Sequence, residues 1–102
     1  MVSKESLVED IKKNIAENKI MVYSGTYCPY CDRAKALLTK KGKPFKVIEI
    51  DEVEDGEYIN EALAEWSGQE TIPNIWINGK HIGGNSDLQD LEKAGKLDEL
   101  LA

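Results

Sequence analysis

Apolar residues recur every three or four positions near the start of the chain and predict an amphipathic helix from Ser3, its N-cap, to about Glu17. The next apolar residues form a compact run at 20–23. This run is too short for a helix and is stopped by Ser24 and Gly25, so it predicts a buried strand. A Cys-Pro-Tyr-Cys segment follows almost directly.

A second helix is predicted to begin at Pro29, because a proline in the first helical turn loses no hydrogen bond. Its apolar face continues until Gly42 and Pro44 stop it. The β-rich segment at 45–50 comes next. Since a helix separates it from the first strand, the two strands should be parallel neighbours in a βαβ unit. An acidic turn at 51–57 then leads to a third helix.

The third helix is predicted to end at Ser67 and Gly68. Trp66, near its end, follows the apolar periodicity of this helix and is predicted to lie in the core. A β-hairpin should follow, because the apolar run at 74–77 leads into an Asn-Gly turn, the strongest short hairpin signal. His81 in the second strand of this hairpin is interpreted as exposed.

A fourth helix is predicted with Ser86 or Asp87 as its cap and Gly95 as its end, followed by a last helical turn or two at 97–101. The resulting order αβαβαββα leaves few arrangements, given right-handed crossovers and one hairpin. It predicts an α/β fold of the thioredoxin-like type, with a four-stranded mixed sheet flanked by helices on both faces.

Composition predicts one small acidic domain that spans residues 1–102, with 13 Lys and Arg against 19 Asp and Glu and a net charge of −6. The basic residues are interleaved with acids, which argues against nucleic-acid binding. No run reaches the ~18 apolar residues of a membrane span, and the N-terminal segment resembles neither a signal nor a transit peptide. We therefore expect a cytoplasmic monomer that binds neither nucleic acid nor membrane.

Cys28 and Cys31 carry the candidate chemistry. At the start of a helix this spacing separates two thiols by about one turn, with the first at an exposed lip and the second facing the protein body. The helix N-terminus favours an anion, so the pKa of Cys28 should fall below the ~8.5 of a free thiol. The pattern predicts Cys28 as the nucleophile of disulfide exchange and Cys31 as the resolving thiol.

Other kinds of site find little support in the sequence. A Cys-x-x-Cys pair can be half of a zinc site, but the chain offers one histidine and no third cysteine as further ligands, so we expect no metal. No Ser/His/Asp arrangement and no glycine loop that would cradle a phosphate is present.

Three segments in order resemble the dithiol glutaredoxins, and among them the fungal cytosolic type: TYCPYC at 26–31, TIP at 71–73 and INGKHIGGNSD at 77–87. The resemblance spans nearly the whole chain. It implies a glutathione-dependent thiol-disulfide oxidoreductase that reduces glutathione mixed disulfides and protein disulfides. Glutathione would be its co-substrate, and glutathionylated proteins and disulfides its partners.

The resemblance also implies a glutathione groove. Pro73 would follow a cis peptide bond, and Ile72 would offer its backbone N–H and C=O to the cysteine of glutathione. The 83–87 segment would hold the γ-glutamyl end at a helix N-terminus, Gln69 and Thr71 would approach the glycyl end, and an aromatic wall would flank the thiolate. The residues so assigned are Tyr30, Gln69, Thr71, Ile72, Pro73, Gly84, Asn85, Ser86 and Asp87.

The sequence departs from the resemblance at Gly25, where relatives often carry a lysine three residues before the first cysteine. A cation there could lower the pKa of Cys28 and hold the glycyl carboxylate of glutathione. Its absence predicts a weaker glutathione affinity, or a smaller lowering of that pKa, than in relatives that have the lysine.

An alternative within the same family remains open. Some glutaredoxins hold a 2Fe–2S cluster between two subunits through the first cysteine and a bound glutathione. Pro29 argues against this role, because the rigid loop that it forms resembles the catalytic members. Visible absorbance of the anaerobically reconstituted protein would separate the two functions.

Overall fold

Four short strands form one mixed sheet in the computed structural model, which describes residues 4–102. Ser3, the predicted cap of the first helix, lies outside the described residues. The elements in chain order are α1 (Lys4–Glu17), β1 (Ile20–Ser24), α2 (Pro29–Lys40), β2 (Lys46–Glu49), α3 (Gly56–Ser67), β3 (Asn74–Ile77), β4 (Lys80–Gly83), α4 (Asn85–Lys93) and α5 (Leu97–Leu101).

The strand order is β2-β1-β3-β4. β1 pairs with β2 in parallel and with β3 in antiparallel fashion, so the predicted βαβ unit, with α2 as its crossover, is confirmed. The predicted hairpin of β3 and β4 is also confirmed. Its turn residues Asn78 (φ 53°) and Gly79 (φ 78°) both adopt the left-handed conformation that a type I′ turn requires.

Helices cover both faces of the sheet, as predicted. Because successive side chains of a strand point to opposite faces, Ile20 and Val22 of β1 pack with α2, α4 and α5, whereas Met21 and Tyr23 pack with α1 and α3. Burial on both faces explains why β1 is apolar without alternation. Within residues 4–102, no helix has the length and apolar character needed to cross a membrane.

The start of α4 differs from the prediction. The helix begins at Asn85 with Gly84 as its N-cap, so Ser86 and Asp87, the predicted caps, lie in its first turn. The Asp87 carboxylate instead reaches back and accepts a hydrogen bond from the Gly84 N–H at 3.0 Å. This is the reciprocal half of a capping box, in which an acid at the third helical position satisfies the cap amide.

Two side chains on the α3 face of the sheet are placed differently from the prediction. Trp66 is 41% exposed and stacks on Trp76, with ring centroids 4.7 Å apart, so its assignment to the core is wrong. His81, predicted to be exposed, is half-buried because its pairing with Trp76 across the hairpin brings the two rings within 4.7 Å. Aromatic pairing at the sheet edge thus shields the histidine and leaves the outer tryptophan partly in solvent.

Helix α3 begins at Gly56, inside the predicted acidic turn, and that glycine is buried. A Cβ at this position would overlap the backbone carbonyl oxygen of Ile50. We therefore expect Gly56→Ala to lower the free energy of unfolding by about 1–3 kcal/mol, the usual cost of overpacking. Thermal melting checks this, with Glu57→Ala at the next, exposed position as the control; equal melting temperatures for the two variants would contradict it.

Candidate active site

The sulfur of Cys28 lies at the N-terminus of α2. Cys28 is the N-cap residue, and its Sγ accepts a hydrogen bond from the backbone N–H of Cys31 at 3.2 Å. An oxygen of Ser, Thr, Asp or Asn usually takes this amide. Pro29 in the first turn has no N–H to satisfy, as predicted. The sulfur therefore lies where the helix dipole and an amide donor both stabilise negative charge.

The two cysteines differ in access to solvent. Both are free thiols, with Cys28 8% exposed and Cys31 fully buried. Cys28 is therefore much less exposed than the predicted position at an exposed lip implies. Its thiol is covered by the loop before β3 and lies 3.9 Å from the carbonyl oxygen of Ile72. The predicted order of access is retained, because Cys28 alone of the pair reaches the surface.

Burial raises the pKa of the Cys31 thiol to about 11. The neighbouring Cys28 side chain adds to this rise, and the Gly25 backbone and the Ser24 side chain oppose it. Cys31 is consequently held as a neutral thiol near pH 7. The structure thus gives the two thiols different environments, one at a helix N-terminus and one in the protein interior.

The loop before Cys28 is fixed by a contact that the sequence interpretation missed. The Thr26 N–H donates to Asp51 Oδ1 at 2.9 Å, and the Thr26 hydroxyl donates to Oδ2. These bonds hold the pKa of the Asp51 carboxyl below its usual value. A signal was available, because β1 and β2 are parallel and the residues that follow them must meet at the same edge of the sheet.

A groove of about 490 Å³ runs beside the Cys-Pro-Tyr-Cys segment. Three separate segments line it: the first turn of α2, the loop between α3 and β3, and the start of α4. The structure therefore brings all nine predicted groove residues together around one cavity. They are Tyr30, Gln69, Thr71, Ile72, Pro73, Gly84, Asn85, Ser86 and Asp87.

The middle of the groove is formed around a cis peptide bond between Ile72 and Pro73, as the resemblance implied. Gln69 holds this segment from the side. Its Nε2 donates to the carbonyl oxygens of Thr71 and Pro73, both at 2.8 Å. Both N–H donors of the amide are therefore occupied, so Gln69 borders the groove without offering an N–H to a bound carboxylate.

The far end of the groove is the N-terminus of α4, where first-turn amides lack partners within the helix. The Asp87 carboxylate lies here, fixed by the Gly84 N–H. Gly83 has φ 123°, and a Cβ on it would overlap that carboxylate, so only glycine suits this approach. Amide donors and a carboxylate thus lie side by side, an arrangement suited to a ligand with both an anionic and a cationic group.

The side of the groove near Gly25 is closed by apolar side chains. Gly25 is buried, and a Cβ there would lie 2.7 Å from Ile72 Cδ1 and 3.0 Å from the ring of Tyr27. The groove lining contains neither lysine nor arginine. The sequence showed that a lysine is missing at position 25. The structure shows that no other lysine or arginine lines the groove in its place.

Comparisons of the whole chain with known proteins agree on one family. The glutaredoxin family model matches residues 20–82. Glutaredoxin-1 of Saccharomyces cerevisiae is 50% identical, with 99% of this chain and 94% of that protein covered. Glutaredoxin-C1 of Arabidopsis thaliana is 47% identical, with coverages of 95% and 78%. The crystal structure of a buckwheat glutaredoxin-glutathione complex superposes with a TM-score of 0.94 at 38% identity, covering 96% of this chain and 89% of that one.

The raised pKa of Cys31 predicts selective labelling of the reduced protein. Because burial raises the pKa of Cys31 to about 11, very little of this thiol is ionised at pH 7. We expect brief treatment with iodoacetamide at pH 7 to alkylate Cys28 and leave Cys31 unmodified, as measured by peptide mass spectrometry. Labelling in urea, where burial is lost, provides the control and should modify both. Equal modification of both cysteines in the folded protein would contradict the expected difference.

Proposed function

The chain belongs to the glutaredoxin family and is a glutathione-dependent thiol oxidoreductase, and we propose that Cys28 is its nucleophile and Cys31 its resolving thiol. The observation that carries this assignment is the position of the Cys28 sulfur, at a helix N-terminus and beside a groove. A thiolate stabilised there can attack a disulfide and can also leave from one.

In the proposed reaction, the Cys28 thiolate attacks the glutathionyl sulfur of a mixed disulfide. The bond between that sulfur and the substrate breaks, and the substrate leaves as a thiolate that takes a proton from solvent. A second glutathione can then attack the glutathionyl sulfur on Cys28 and leave as glutathione disulfide. Alternatively, Cys31 attacks Cys28, and glutathione is released as the Cys28–Cys31 disulfide forms.

Glutathione is an extended peptide with two carboxylates and one ammonium, and the groove offers groups for its backbone, for one carboxylate and for the ammonium. In the proposed pose, the backbone of Ile72 pairs with the central cysteine of glutathione. The amides at the start of α4 bind the γ-glutamyl carboxylate, and Asp87 binds the ammonium. Tyr30 forms a wall beside the reacting sulfur. Gln69 contributes by holding the Ile72–Pro73 segment, which supports a positioning role for it.

We further propose one glutaredoxin domain over residues 1–102, acting as a monomer in the cytoplasm on glutathionylated proteins and protein disulfides. The two proposed reactive residues and the groove lie together on one subunit, so the proposed reaction needs no residue from a second copy. Two cysteines are too few for the disulfide framework of a small secreted protein, which supports a reducing compartment.

The assignment of the two cysteines is tested by serine variants. Cys28→Ser should reduce turnover of a small glutathionyl disulfide to background, because it removes the nucleophile. Cys31→Ser should retain activity of the same order as the wild type, because glutathione itself can complete the cycle. A coupled assay with glutathione and glutathione reductase measures both. An inactive but folded Cys31→Ser protein would contradict the assignment.

The missing cation near Cys28 is tested by Gly25→Lys. Partly exposed ion pairs contribute about 0.2–1 kcal/mol, so the KM for a glutathionyl substrate should fall about one and a half- to fivefold. The new Cβ meets the flexible end of Ile72 and the ring of Tyr27, which can shift. Gly25→Gln, similar in length but uncharged, is the matched control. An equal KM for the two variants would show that charge at this position has no role.

A further inference from the structure

Cys31 must lose a proton before it can resolve the mixed disulfide, yet it is fully buried and its environment raises its pKa. Solvent therefore has no direct access to this thiol. Cys28, its neighbour, carries glutathione at this stage and cannot serve as a base. The proton needs another route out of the interior, and a set of polar residues lies between the sheet and α2.

Ser24, the last residue of β1, lies beside the Cys31 thiol. It faces α2, since it continues the alternation of Ile20 and Val22, which pack against that helix. Its side chain is fully buried, and it lies close enough to Cys31 to oppose the rise in the pKa of that thiol. A hydroxyl has one donor and two acceptor positions, so Ser24 can accept the Cys31 proton while it donates its own.

The acceptor for the Ser24 proton is Glu49. β2 pairs with β1 so that these two residues are partners, and the Ser24 hydroxyl donates to Glu49 Oε2 at 3.0 Å. The other carboxylate oxygen, Oε1, lies 2.9 Å from Lys35 Nζ on α2. The Glu49 side chain is 17% exposed, so it links the buried hydroxyl to solvent.

We propose that Ser24 and Glu49 form a proton relay for Cys31, an inference that rests on the proposed dithiol reaction. In the resolving step the Cys31 proton passes to Ser24 Oγ while the Ser24 proton passes to Glu49 Oε2. The Cys31 sulfur then attacks Cys28, the Cys28–glutathione S–S bond breaks, and the Cys28–Cys31 bond forms. Two enzyme thiols are thereby oxidised and the glutathionyl sulfur is reduced, and glutathione leaves as a thiolate that is protonated from solvent.

Lys35 has a positioning role in this relay. Its ammonium fixes the carboxylate so that Oε2 remains directed at the serine, and its pKa is raised, mainly by the hydrogen bond to Glu49. Within residues 4–102, the other charged or titratable groups that interact with the relay residues are Asp32 on α2, 3.7 Å from Lys35 Nζ, Asp51 after β2, and the two cysteines.

The relay is tested by following the resolving step alone. Reduced protein is mixed with glutathione disulfide, quenched with acid at short times, and analysed by mass spectrometry for the Cys28–glutathione adduct. We expect Glu49→Gln and Ser24→Ala to form this adduct at the wild-type rate but to lose it about 10- to 100-fold more slowly, because general-base assistance is removed. Glu52→Gln, the same change at an exposed site, should behave as the wild type.

Two further measurements separate a relay from a structural role. Ser24→Thr keeps the hydroxyl and should restore most of the rate lost in Ser24→Ala. Glu49→Gln lacks the carboxylate base and should resolve only through hydroxide, so its rate should rise in proportion to hydroxide concentration and its deficit against the wild type should shrink as the pH is raised. In a Cys31→Ser background, Glu49→Gln should leave deglutathionylation unchanged, since no resolving step occurs.

An unchanged adduct lifetime in Glu49→Gln and Ser24→Ala would overturn the relay, as would equal slowing of adduct formation and adduct loss. Failure of the proposed function has a different signature, because no Cys28–glutathione adduct would form in the wild type. If Glu49→Gln does not fold, comparison of Ser24→Ala with Ser24→Thr decides the question alone.

Discussion

The Cys28 sulfur in the N-cap position of α2 is the constraint on which the rest of the site depends. Its amide partner is Cys31, so one hydrogen bond joins the two reactive residues and fixes the first turn of the helix. The position of that turn is set by β1, which is fully buried and is paired with β2 on one side and β3 on the other. The place where the strand ends therefore determines where the sulfur lies.

Burial gives Cys28 and Cys31, two chemically identical side chains, different environments. The helical turn that leaves Cys28 at the groove carries Cys31 under α2, next to the sheet. There the polar residues Ser24 and Glu49 interrupt an otherwise apolar face at the ends of β1 and β2. Buried polar groups are costly unless they are paired, and these two satisfy each other. Their position behind the second thiol is what makes them candidates for its proton.

The fold was largely predictable from the sequence, because hydrophobic periodicity and turn residues act locally. β1, the Asn-Gly hairpin and the start of α2 at Pro29 were all placed from patterns a few residues long. The burial of Trp66 on α3 and of His81 on β4 was not predicted correctly, because it depends on contacts between different elements. The cap of α4 was misplaced for a related reason: Asp87 bonds back to Gly84, and a short acid favours either position.

The candidate site was also predicted only in part, for the same reason. The positions of the two cysteines and of the nine groove residues followed from motifs, and the structure brings all nine around one cavity, although their part in glutathione binding stays a prediction. The contact of Thr26 with Asp51 and that of Ser24 with Glu49 were missed, because each joins β1 or its loop to the β2 region about 25 residues away. Strand pairing alone creates these contacts, so no motif contains them.

The groove depends on the core through a chain of polar groups between α3 and β3. The Trp76 indole donates to Asn74 Oδ1 at 2.7 Å, and Asn74 Nδ2 donates to Ser67 Oγ at 3.2 Å. The same Ser67 oxygen accepts the N–H of Gln69, whose amide in turn holds both sides of the Ile72–Pro73 bond. A buried tryptophan thereby fixes the backbone that faces Cys28. Because all these hydrogen bonds are internal to the chain, they hold the backbone of the groove in place, and binding need not supply the free energy of ordering it.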